Sequence, residues 1–78
     1  MEIRLCNAGS RKYRKADVAP GDCVNLCAWD RGVYSARVVR VDARGLEVVG
    51  ERLGAVPERG RFSFAHEDLC YLEVRKRC

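Results

Sequence analysis

The chain has 78 residues, a formal net charge of +4 and 47% hydrophobic residues. A chain of this length has room for one domain, and it buries too little surface for a deep catalytic cleft of its own. No apolar run approaches the roughly 18 residues that a membrane span requires, and charged residues stand where a signal peptide needs its apolar run. We therefore expect a small cytoplasmic protein with no membrane partner.

The cations are concentrated at the two ends of the sequence. Residues 1–15 carry a net +4 and residues 75–78 carry +3, whereas residues 16–74 carry −3. Cations bind phosphates and an aromatic ring stacks on a base, so the run RKYRK is compatible with RNA or single-stranded DNA. A solvated loop is the simpler interpretation of the same run. The candidate nucleic-acid residues are Arg11, Lys12, Tyr13, Arg14 and Lys15.

Short alternating apolar runs separated by turn residues predict β-strands and no long helix. Residues 7–22 have no apolar period and are expected to form a loop or mobile arm. Residues 66–69 are polar and few enough for a single 3-10 turn before the last strand. The predicted strands span residues 3–6, 23–29, 33–41, 46–53, 61–65 and 70–74.

The apolar residues of the strand predicted over 33–41 change face partway along. Tyr34 and Val38 share one face, whereas Val39 and Val41 lie on the other. This switch predicts a strand that bends from one sheet into the next, as small barrels require. Ala36 lies on the same face as Tyr34 and Val38. The residues predicted to face the core are Val24, Leu26, Ala28, Phe62 and Phe64.

The stretch GDCVNLCAWDRGVYSARVVRVD resembles the Tudor family. Tudor domains commonly have a Gly-Asp pair, an aromatic near the end of the first strand, an acidic residue with a glycine in the turn, and Tyr-x-Ala before a branched run and Asp. They also place an Asp-Leu pair before the last strand, as residues 68–69 do here. The resemblance implies an all-β fold with a single five-stranded SH3-like barrel over residues 18–74. Residues 1–17 would then form an N-terminal strand and basic arm, and residues 75–78 a basic tail.

Tudor domains that bind methylated lysine or arginine do so in an aromatic cage, and the resemblance implies two cage walls in Trp29 and Tyr34. The stretch that normally supplies the other walls reads LEVVGERLGAV and has no aromatic residue. Phe62 and Phe64 could replace them, although alternating phenylalanines are more typical of a core. We expect a non-enzymatic binding module that contacts a protein or peptide through this hairpin end. The candidate contact residues are Trp29, Asp30, Tyr34 and Phe64.

Residues able to carry catalysis or bind a metal are few. His66 is the single histidine, and no triad spacing or glycine-rich phosphate loop accompanies it. Cys23 and Cys27 would lie about 13 Å apart on a strand, too far for two ligands of one zinc ion. His66 and Cys70 would need two further ligands. We therefore expect no catalytic residue, no metal and no cofactor.

Two expectations concern association and thiols. A homodimer could form through a sheet edge or through a hydrophobic face. An oligomeric enzyme is a remote alternative, because the chain resembles the plasmid-type dihydrofolate reductases in length and barrel type but lacks their Val-Gln-Ile-Tyr segment. The five cysteines are odd in number and no export signal accompanies them, so we expect reduced thiols. Cys78 is expected to be exposed, and the others to behave as small buried hydrophobes.

Overall fold

The structure is a computed structural model that describes residues 2–6, 13–75 and 78. Strands make up most of it, with one 3-10 turn. In chain order the elements are β1 (Glu2–Cys6), β2 (Tyr13–Asp17), β3 (Cys23–Ala28), β4 (Gly32–Val41), β5 (Gly45–Leu53), β6 (Glu58–Ala65), the 3-10 turn η1 (His66–Asp68) and β7 (Leu69–Val74). The predicted all-β character and the single 3-10 turn are confirmed.

Five strands form one antiparallel sheet in the order β6-β5-β4-β3-β7, and β1 pairs with β2 in a separate two-stranded ladder. Hairpins connect β3 to β4, β4 to β5 and β5 to β6. The 3-10 turn η1 then returns the chain so that β7 pairs with β3. The predicted meander with a closing strand is therefore confirmed. Within the described residues no ladder joins β6 to β7, so the structure shows a five-stranded sheet and not a closed barrel.

The prediction of a loop over residues 7–22 is wrong for residues 13–17. These residues form β2, which runs antiparallel to β1 from the pair Cys6↔Tyr13 to the pair Glu2↔Asp17. The sequence YRKAD gives no apolar alternation, although Ala16 packs partly against the core. Hydrophobic periodicity therefore does not report this strand.

The core lies between the inner face of the five-stranded sheet and β1. Ile3 and Leu5 of β1 are buried in the same cluster as the inward residues of the sheet, and β1 contacts β7 and η1. All but one of the residues predicted to face the core are buried, and Phe62 is partly buried against them. The buried cluster consists of Ile3, Leu5, Val18, Val24, Leu26, Ala28, Tyr34, Ala36, Val38, Leu46, Val48, Phe64, Leu69 and Leu72.

A register shift lies between Val38 and Arg40 of β4, opposite β5. Val38 is buried and Val39 is exposed, whereas Val41 packs partly against the core. The prediction that Val39 and Val41 share the face opposite Val38 is therefore wrong for Val41, because the extra residue of the bulge returns Val41 to the core face. A bulge of this kind bends a strand and increases its twist. β4 lies between β5 and β3 in the five-stranded sheet, so the described residues show a bulge and not the predicted passage of the strand into a second sheet.

The expectation that all cysteines are reduced is wrong for two of them. Cys23 and Cys78 form a disulfide across a sequence separation of 55 residues, with their Cα atoms 5.4 Å apart. The Arg75 amide donates to the Cys23 carbonyl at 2.7 Å, so the chain remains beside β3 after β7 ends. That pairing is a tertiary feature, which cysteine spacing does not reveal. Cys78 is exposed, as predicted.

In the part of the chain that the structure describes, no helix has the length and apolar character needed to cross a membrane.

Candidate binding pocket at the β3–β4 hairpin end

The hairpin that joins β3 to β4 has a tight tip over residues 28–31. The Arg31 amide donates to the Ala28 carbonyl at 3.2 Å, which closes the turn. Asp30 has a φ of 61° and Gly32 a φ of 107°, and both values are in the left-handed region that aspartate and glycine tolerate best. The Trp29 amide donates to the Asp68 carbonyl at 2.8 Å. This bond attaches the tip to η1.

Three aromatic rings lie behind the tip. The Tyr34 ring is 4.8 Å from Phe62 and 5.0 Å from Phe64 between centroids, and both pairs meet edge to face. Tyr34 is only 3% exposed. The Arg31 guanidinium lies over the Phe64 ring, 4.6 Å from its centroid, so a cation of the chain itself already covers this ring.

The structure does not bring the two predicted cage walls together. Trp29 is 41% exposed at the tip, whereas Tyr34 is buried in the ring cluster. Among the described residues, the ring contacts join Tyr34 to the two phenylalanines and none joins it to Trp29. This arrangement is not the cage for a methylated cation that the family resemblance implies.

An open pocket of about 470 Å³ lies in front of the ring cluster. Part of its wall is a single row across the sheet, because Tyr34 of β4 is opposite Arg52 of β5, which is in turn opposite Glu58 of β6. Three guanidinium groups therefore line the pocket against one carboxylate. The lining residues are Arg31, Tyr34, Arg52, Glu58, Arg61 and Phe62.

Two of the three arginines are held by backbone carbonyls. Arg31 Nη1 donates to the Ser63 carbonyl at 3.0 Å, and Arg52 Nε donates to the Arg31 carbonyl at 2.7 Å. These bonds leave the positive charge of both groups at the pocket, since a carbonyl carries no net charge. The one carboxylate of the lining, Glu58, is 3.9 Å from Arg52, and both are solvent-exposed. Such an exposed pair contributes little and is readily exchanged for another carboxylate.

The third arginine is paired outside the pocket. Arg61 Nη1 lies 3.3 Å from Glu47 Oε1, and Glu47 also approaches Arg40 at 3.9 Å. A guanidinium has five N–H groups, and one carboxylate oxygen uses at most part of them. Arg61 therefore adds positive charge at the rim.

The residues proposed for partner contact lie in different parts of the hairpin end. Trp29 and Asp30 are exposed at the tip, Tyr34 forms a wall of the pocket and Phe64 is buried under Arg31. The sequence did not single out Arg31, Arg52, Glu58 and Arg61 as site residues. The signal that could have found them is the strand register, which follows from the positions of the two hairpin turns.

The proposed nucleic-acid arm is only partly described. Arg11 and Lys12 lie outside the described residues, and Tyr13, Arg14 and Lys15 are described as the backbone of β2. The prediction that they contact nucleic acid therefore stays a prediction. Within the described residues, no three His, Cys, Asp or Glu side chains are grouped so that they could hold a metal ion.

Comparisons with protein-family models, with curated proteins and with solved structures gave no significant match for the chain.

Proposed function

We propose that this chain is a non-enzymatic binding module that holds an acidic segment of a partner protein in the pocket at the β3–β4 hairpin end. The observation that carries the proposal is the lining of that pocket, in which three guanidinium groups are opposed by one exposed carboxylate. Arginine is the side chain best suited to carboxylates, because its planar fork can form two parallel hydrogen bonds to one of them.

The fold family is part of the same proposal. The strand order β6-β5-β4-β3-β7, with a 3-10 turn before the last strand, agrees with a Tudor-like, SH3-like plan for residues 18–74. The bulge in β4 supports the proposed barrel curvature, since such bends are how small sheets curl. Domains of this size bind partners through one end of the sheet and need no deep cleft.

A peptide suits this pocket better than a nucleic acid. Base stacking needs an open ring face, but Tyr34 is buried and Arg31 covers Phe64. Trp29 lies two residues before Arg31, and its exposed ring offers apolar contact to a neighbouring residue of the same peptide.

The variant Arg52→Gln tests the proposal. It removes one of the two charges held at the pocket by carbonyls, and its affinity for a fluorescently labelled Asp/Glu-rich peptide should fall about tenfold in fluorescence anisotropy, as expected for the loss of one charge-assisted hydrogen bond. The matched control is Arg37→Gln, which removes an equal charge from an exposed position of β4 opposite Cys23. The control should bind as the parent chain does.

Equal weakening in both variants would show that only net charge matters and would reject the pocket. An oligonucleotide of the same charge that binds more tightly than the peptide, and that is unaffected by Arg52→Gln, would favour the nucleic-acid alternative through the basic arm. The thermal midpoint of each variant, measured in parallel, separates lost binding from lost folding.

A further inference from the structure

Two cysteines outside the disulfide face each other across the β3–β7 ladder. Cys27 of β3 is opposite Tyr71 of β7, and the next pair is Ala28 with Leu69, so Cys70 is the extra residue of a bulge at this point. Two residues of a bulged strand oppose one residue of its partner. Cys70 and Tyr71 are therefore both neighbours of Cys27.

The burial pattern of β7 places the two thiols on the same face of the sheet. Leu69 and Leu72 are both buried, a spacing of three that a regular strand does not allow. The bulge accommodates the odd spacing and turns Cys70 to the outer face. Cys27 is on that face too, because the buried residues of β3 on either side of it are Leu26 and Ala28.

The Cys70 thiol contacts the backbone of Cys27. Cys70 Sγ lies 3.2 Å from the carbonyl oxygen of Cys27 and donates to it. Both residues are free thiols and half-buried. Burial first, and then the hydrogen bond with the Cys27 thiol, raises the pKa of the Cys70 thiol to about 11. Cys70 is therefore protonated near neutral pH.

We propose that Cys27 and Cys70 form a thiol–disulfide exchange site that reacts with a low-molecular-weight disulfide and closes to a second disulfide between β3 and β7. Both residues of a bulge oppose the same partner residue, and the 3.2 Å contact of the Cys70 thiol with the Cys27 carbonyl places the two cysteines side by side across the ladder.

The reaction takes two exchange steps. The Cys27 thiolate attacks one sulfur of the small disulfide, forms a mixed disulfide and releases one thiolate, which takes up a proton. Solvent then accepts the proton of the Cys70 thiol and passes it to the second small thiolate when that leaves. The Cys70 thiolate attacks Cys27 Sγ and releases the second small thiol. Two protein thiols are oxidised and one small disulfide is reduced to two thiols.

The second disulfide would join β3 to β7, whereas the first joins β3 to the chain beyond β7. Cys23–Cys78 attaches the chain beyond β7 to the beginning of β3, and Cys27–Cys70 would attach the beginning of β7 near the end of β3. The Trp29 amide already bonds to Asp68 just beyond this point. The cross-link would therefore fix the base of the β3–β4 hairpin without involving the pocket residues.

Oxidised glutathione tests this site in the folded protein that retains the Cys23–Cys78 disulfide. A Cys6→Ser background removes the cysteine whose side chain lies outside the described part of the chain. The expected product has lost two hydrogens by intact mass and carries no glutathione, and tandem mass spectrometry of its peptides should show Cys27 linked to Cys70. The matched variant Cys70→Ser lacks the second thiol and should instead accumulate a stable glutathione adduct at Cys27.

Three results would overturn the proposal. They are a parent protein that remains unreacted, one that accumulates glutathione adducts without closing, and one whose new link joins Cys70 to Cys23 or Cys78. All three results are measured on the parent protein, so the proposal can be rejected even if Cys70→Ser does not fold.

Discussion

Gly50 lies at a point of β5 where a side chain would have no room against β4. It is opposite Ala36 of β4 and Gly60 of β6. A Cβ added at Gly50 would meet the Ser35 carbonyl oxygen and would lie 2.6 Å from the Ala36 Cβ, whereas a Cβ at Gly60 would meet no heavy atom within 4 Å. The two glycines face each other across β5 and β6 but differ completely in the space around them.

Because of this difference, we expect alanine to destabilise the fold at Gly50 and to be tolerated at Gly60. Gly50→Ala forces backbone of two strands apart and should lower the free energy of unfolding by about 1–3 kcal/mol. Gly60→Ala should change it by no more than about 0.5 kcal/mol. Urea unfolding of both variants measures the difference, and similar losses in the two would contradict the close approach at Gly50.

Asp42 organises the turn between β4 and β5 with its side chain. Its Oδ1 accepts from the Arg44 amide at 2.9 Å and from the Gly45 amide at 3.1 Å, and its Oδ2 lies 3.0 Å from Arg40 Nη1. The two amide hydrogen bonds, Arg44 first, hold the pKa of Asp42 below its ordinary value of 3.8, with a smaller contribution from Arg40.

The lowered pKa of Asp42 makes the stability of the fold depend on pH in the acid range. Because the pKa is lower in the folded chain, the charged carboxylate stabilises the fold above about pH 4, and that stabilisation is lost as the pH falls below it. Asp42→Asn removes the titrating group, so its thermal midpoint should fall less than that of the parent between about pH 6 and about pH 3. Parallel decreases in the two proteins would show that Asp42 makes no such contribution.

At the scale of the strand, bulges separate what the sequence predicts from what it does not. The bulge in β4 was predictable, because the apolar residues of its sequence do not keep to one strict alternation beyond Val38. The bulge in β7 was not, since the run LCYLEV can be assigned to either face until its partner strand is known. β2 was missed for a related reason: it pairs with β1, and its sequence YRKAD has no hydrophobic period.

The Cys23–Cys78 disulfide constrains the sheet elements that end the chain. It closes a loop spanning 55 residues, and a loop of that length should stabilise the fold by about 2–4 kcal/mol through the lost entropy of the unfolded chain. Cys78→Ser removes the disulfide at an exposed position, so the substitution leaves no buried cavity that would lower the stability by itself. We expect a correspondingly lower free energy of unfolding in urea, with no further decrease when a reductant is added.

The same experiment has a clear contrary outcome. If Cys78→Ser unfolds at the parent's urea concentration, or if the reductant destabilises it as strongly as the parent, the disulfide does not hold β3 to the end of the chain.

For the whole molecule, the candidate site combines a part that the sequence predicts with a part that only pairing creates. Trp29 and Tyr34 were visible beside a hairpin turn. Arg52 and Glu58 join Tyr34 because three strands align in one register, and Arg31 reaches Phe64 because the tip folds toward β6. Side chains far apart in sequence thus form a basic pocket on a body with net negative charge. A count of charges along the chain indicated the ends instead.

An NMR titration of the isotopically labelled chain with an acidic peptide decides whether the pocket is the binding site. We expect the largest changes in amide chemical shift at the pocket and the hairpin tip, at residues 29–34, 52 and 58–62, and no change of these amides with an oligonucleotide of equal charge. Shifts concentrated at residues 13–17, shifts on the outer face around Arg37, or no shift with any acidic peptide would contradict this expectation.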